Sequence, residues 1–165
     1  GFRPIEAGLS LRPDNLRADL GALRDELHAL GLPGHDLVFA LHGLDAPTDA
    51  RARALWDAPR LRASYRTHLR ALGKSETRLA ALPPEHAMVE SFVQGRRVIR
   101  DLVLDPLLPE PICPAVERQA LVAALRRYDR LGRSAWAGFM RRFAVPHIRT
   151  PYDNPLPLEP AALAV

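Results

Sequence analysis

Four prolines within nine residues, Pro106, Pro109, Pro111 and Pro114, constrain this chain more than any other feature. Proline has no amide hydrogen and a fixed φ, so a helix running into this segment must stop near Leu104. The segment beyond Leu104 is stiff and extended, yet it carries Leu107, Leu108 and Ile112. A solvated linker has no use for such side chains, so the stretch is expected to lie against a core. It serves either as a rigid connector packed on its neighbours or as one wall of a ligand pocket.

The segments on either side read as helices. Upstream, Pro83 and Pro84 open a helix whose seam is Met88, Phe92, Ile99 and Leu102, widened by Val89 and Val93. Gly95 lies inside it, which suggests the close approach of a neighbouring backbone. Before that, Thr48 is placed to cap a helix running to Asp57. Pro59 then starts another, with Leu61, Tyr65, Leu69 and Leu72 on its apolar side and Gly73 as its stop. Downstream, Val116 to Tyr128 reads as a helix ending near Gly132. Ser134 is positioned to cap a short last helix through Trp136, Phe139 and Phe143, and the proline-rich tail from Pro146 reads as extended or disordered.

The first 45 residues have a different pattern. Gly1 to Arg12 reads as extended, with Gly8 as a bulge or tight bend, and Pro13 ends it. Asp14 is placed to cap a helix over Asn15 to Leu30, where Leu16, Leu20, Leu23, Leu27 and Leu30 share one face and Gly31 terminates it. Asp36 to Leu44 then looks like a second strand, which makes the segment β-α-β. Two strands are a poor sheet, and a helix with one leucine face must dock on something larger. The sequence starts at Gly1 without a methionine, directly on a strand-like segment, and so reads as a piece of a longer protein.

Composition bounds the function. At 165 residues and 47% hydrophobic, the chain is globular, with room for one domain or two small ones. A net charge of +4 permits an anionic partner, and Lys74 is the only lysine, so the positive charge is nearly all guanidinium. The single Cys113 excludes an internal disulfide and a cysteine-based metal cluster. It sits between prolines without a base nearby in sequence, as a buried structural thiol does. Six histidines lie at positions 28, 35, 42, 68, 86 and 147, and none forms a metal-binding pair by spacing. There is no nucleophile elbow, phosphate loop or dinucleotide fingerprint, so no enzyme is expected. Without a signal peptide or an apolar run near 18 residues, the sequence reads as soluble and cytoplasmic.

The arginines are the candidate site. Arg62, Arg66 and Arg70 recur every four residues on one helix face, with no acid between Arg60 and Gly73 to relieve them. Either other helices supply the acids, or the face meets phosphates. Arg96, Arg97 and Arg100 form a second group beside the prolines. Asp101 stands four residues from Arg97 and can neutralise it, which leaves Arg100 to hold a phosphate or carboxylate as a bidentate fork.

Three stretches in this order and at these separations, GFRPIEAGLSLRPDNL, RARALWD and RDLVLDPLLPE, resemble the PaaX-type repressors of phenylacetate degradation. The similarity runs from Gly1 to about Phe143. It implies an α+β chain: residues 1–45 as the latter part of a ferredoxin-like (Cas2-like) central domain, 46–145 as a mainly α-helical C-terminal domain, and 146–165 as a proline-rich tail. It further implies a homodimeric repressor without cofactor, released from operator DNA by an aryl-CoA thioester such as phenylacetyl-CoA. Operator contact would come from a winged-helix domain that these residues do not include. The alternative, read from the arginine faces alone, is a sequence-nonspecific nucleic-acid-binding module. A nuclease of the ferredoxin-like kind needs an aspartate on a first strand that the resemblance does not cover.

Overall fold

The computed structural model describes residues 1–110 and 112–144. It is an α+β chain: a two-stranded antiparallel sheet followed by helices. Strands β1 (Arg3–Glu6) and β2 (Leu9–Leu11) form a hairpin whose turn is made by Ala7 and Gly8, the glycine at φ +76°. That left-handed value is why the expected bend falls at Gly8. The register slips between Pro4 and Glu6, where proline lacks the amide a regular ladder uses.

Helix α1 covers only Leu20–Ala29, and Asp19 caps it by accepting the Ala22 N–H at 2.8 Å. Asp14 does not act as the cap. Residues 13–18 stay outside the helix as irregular backbone, where Asn15 donates from Nδ2 to the carbonyls of Pro106 and Leu107 at 2.9 and 2.6 Å and accepts from Arg12 at 2.7 Å. The strand expected at Asp36–Leu44 is not formed. Both strands among the described residues pair with each other, so this segment has no ladder to join, and Leu37 is left 85% exposed. Arg24 secures it to α1 through a 3.1 Å bond to the Val38 carbonyl. The β-α-β order is thus replaced by β-β-α, and α1 buries no residue fully.

The core lies in the helical part. Helix α2 (Ala46–Arg53) is capped by Asp45, one turn before the expected Thr48, whose N–H Asp45 accepts at 2.7 Å. Helices α3 (Ala58–Leu79), α4 (Pro84–Val103) and α5 (Val116–Arg142) pack on one another. Leu72, Val98, Leu121 and Tyr128 are essentially sealed between them. Asp57 caps α3 through the Arg60 N–H at 2.9 Å.

Two expected helix stops do not occur. α3 runs through Gly73, because Leu72 and Ser75 on either side are fully buried and outweigh the roughly 1 kcal/mol cost of an interior glycine. α5 runs unbroken through Gly132 and Ser134, so no separate last helix starts there. The close approach of a backbone expected at Gly95 does not occur; the tight glycine contact of this bundle is made at Gly132, against a side chain. A Cβ on Gly132 would lie 3.1 Å from Ser91 Cβ, whereas one on Gly95 would meet nothing within 4 Å.

The proline segment behaves as its composition requires. α4 ends with Leu104 as its C-cap, and Leu108 and Cys113 are buried in the core with Ile112 packed against them. Leu107 takes φ +52°, unusual for a side-chain-bearing residue, and Asp105 supports it by accepting its N–H at 2.8 Å. The tail expected to be extended lies outside the described residues.

Candidate functional site

Two of the six candidate arginines share one carboxylate on a distant helix. Arg62 grips Glu117 of α5 with two bonds, 2.6 and 3.3 Å, and Arg66 adds a third at 2.8 Å. The Glu117 carboxyl is held below its ordinary range, chiefly by the Arg62 hydrogen bond. The relief absent from the sequence near these residues therefore comes from 55 positions away. Arg70 is exposed, with a long 3.4 Å contact to Thr67.

The second group also differs from expectation. Asp101 is paired with Arg100 at 3.3 Å, not with Arg97. Arg96 and Arg97 are exposed on α4, and Arg97 is near enough to Glu90 to help hold that carboxyl low, behind the larger effects of Ser75 and Arg78. The fork expected on Arg100 is thus partly committed to a neighbouring carboxylate, while its side chain remains 71% exposed.

The group that sequence reasoning missed is His68 with Asp101. His68 Nε2 lies 2.7 Å from Asp101 Oδ2, joining α3 to α4. This bond, the largest influence, holds the Asp101 carboxyl below its ordinary range. The pair borders a half-open cavity of about 190 Å³. Leu61, Leu102, Leu104 and Leu121 form its apolar wall, and Ser64, Tyr65, His68 and Asp101 its polar edge. Leu61, Tyr65 and His68 share a face of α3 at spacings of four and three, so a histidine in that seam was the only signal available.

Beneath the cavity, the Tyr65 hydroxyl donates to Asp105 at 2.5 Å, and the Asp105 side chain has no solvent exposure. Burial, with the Asp105 bond second, pushes the Tyr65 phenol well above its usual value. The Cys113 thiol is also pushed up, first by burial, and is poorly disposed to act as a nucleophile. Ser64 stands one turn before His68, but no hydrogen bond joins them among the described residues, so the nucleophile–base contact of a serine hydrolase is not made. No group of three or more metal-ligating side chains occurs among the described residues. No described helix is long and apolar enough to cross a membrane.

The chain matches no protein-family model, no curated protein and no solved structure.

Proposed function

We propose that this chain is the effector-sensing and dimerisation portion of a PaaX-like transcriptional repressor of aromatic-acid catabolism, acting in the cytoplasm. On this reading residues 1–45 belong to a ferredoxin-like unit, and the helical part binds an aryl-CoA thioester. The observation that carries it is the cavity with the Arg100–Asp101–His68 chain at its edge. A cavity of about 150 Å³ is enough for benzene, so this one has room for a single aromatic ring. Arg100, Arg97, Arg96 and Arg70 supply exposed guanidiniums for the phosphates of the CoA moiety.

The pairing of Arg62 and Arg66 with Glu117 favours this reading over nonspecific nucleic-acid binding, since both guanidiniums are already engaged with a carboxylate at the place on α3 where a phosphate backbone would have to meet them. To induce, the thioester must bind the operator-released state more tightly than the operator-bound state.

Isothermal titration with phenylacetyl-CoA, with CoA and phenylacetate as controls, tests the proposal. Saturable binding of the thioester, weakened by Arg100→Ala, is expected. Absence of heat from a demonstrably folded sample would overturn it for this effector.

A further inference from the structure

The polar edge of the cavity contains hydrogen-bonding capacity that the fold does not use. Both Asp101 oxygens are engaged, Oδ2 by His68 and Oδ1 by Arg100. His68 engages Asp101 through Nε2, and its Nδ1 has no partner among the described residues.

Ser64 is similar. Helical hydroxyls commonly bond back to the carbonyl four residues earlier. Thr67 does so to Ala63 at 2.9 Å and Thr77 to Gly73 at 3.2 Å. Ser64 makes no such bond among the described residues, although it lines the cavity one turn from His68. Ser64 and His68 therefore line, together with Tyr65 and Asp101, a space of ring size whose remaining wall is leucine. The Asp101 carboxylate on the same edge is paired with the Arg100 guanidinium at 3.3 Å.

We infer that this cavity selects an uncharged, ring-sized group bearing a hydroxyl, read by Ser64 and His68, over the bare ring. This deepens the sensor reading and rests on it for the source of the ring, a hydroxylated aryl group on a larger carrier. The selectivity itself belongs to the cavity and can be measured without a carrier.

The experiment uses the whole chain and two probes of similar size: toluene and phenol. Binding is followed by amide and side-chain chemical shifts of His68, Leu102 and Leu121. Phenol is expected to bind about threefold to tenfold more tightly than toluene, the range of one added neutral hydrogen bond. Ser64→Ala and His68→Phe should each shrink the preference for phenol while leaving toluene binding in place.

Equal binding of phenol and toluene, or no binding of either at millimolar concentration, would overturn the inference. So would a phenol preference that survives in both variants. Its failure is distinct from failure of the sensor reading. Phenylacetyl-CoA binding without phenol selectivity removes only the inference, and phenol selectivity without thioester binding removes only the sensor.

Discussion

Asn15 and Leu107 stand 92 positions apart and are joined by a 2.6 Å bond from the amide Nδ2 to the backbone carbonyl. The same nitrogen reaches the Pro106 carbonyl at 2.9 Å, and Arg12 fixes the amide oxygen from the end of the hairpin. The N-terminal segment is thereby fastened to the proline segment, close in sequence to the Leu104 lip of the cavity. Arg51 and Glu6, at 2.7 Å on the surface, make a second and more exposed link.

Asn15→Ala should loosen the N-terminal segment without melting the bundle. The lost bonds are worth about 1 kcal/mol each at most, since water replaces them. Hydrogen exchange should quicken across residues 3–30, while amides of α3 and α5 keep their protection. Uniform acceleration throughout would show that the two parts unfold together.

Tyr65→Phe should cost about 1–3 kcal/mol, because it removes the phenol donor from a side chain, Asp105, with no access to water. Urea denaturation reads this directly. Arg70→Ala, on an exposed side chain, is the comparison and should change stability by less than about 0.5 kcal/mol. Equal losses in the two variants would show that the Tyr65–Asp105 bond is not a principal tie.

Acid should weaken the bundle in a defined direction. Glu117, Glu90 and Asp101 are all held below their ordinary values by hydrogen bonds, from Arg62, Ser75 and His68 first respectively. Folded-state values below the unfolded ones give stability that is fully present above the unfolded range and lost as pH falls towards the folded values. Denaturation midpoints should therefore hold from neutral pH down to the ordinary carboxylate range and fall below it. Glu117→Gln should be less stable than the parent at pH 7, and the gap should close as both approach about pH 3. A constant gap would mean that the Arg62–Glu117 pair contributes nothing through charge.

Two glycines should respond oppositely. Gly95→Ala meets open space and gains the helix preference of alanine, about 0.5–1 kcal/mol. Gly132→Leu drives a side chain into Ser91 and should cost about 1–3 kcal/mol. Thermal melting separates them, and Gly132→Leu combined with Ser91→Gly should recover part of the loss.

The readable parts of this chain were those governed by local chemistry. Pro106 had to end α4, Gly8 had to turn the hairpin, and the leucine and tyrosine seam of α3 had to face a core. Whatever depended on a distant partner could not be read. Glu117 relieving Arg62, Asn15 displacing the start of α1, and the absence of a ladder beside Asp36–Leu44 are all tertiary facts. Gly73 and Gly132 misled for the same reason, since burial of Leu72, Ser75 and Tyr128 carries their helices past residues that would end an isolated one. The arginines were visible but their charge balance was not. His68 and Asp101 lie 33 positions apart, and only the α3–α4 packing makes them a pair.

The Gly132–Ser91 contact sets an order on how this bundle can change over generations. Enlarging position 132 first passes through an overpacked intermediate, whereas shrinking position 91 first opens the room that a larger residue can later fill. Sequence drift at the α4–α5 crossing is therefore easier in one order, with the serine changing first.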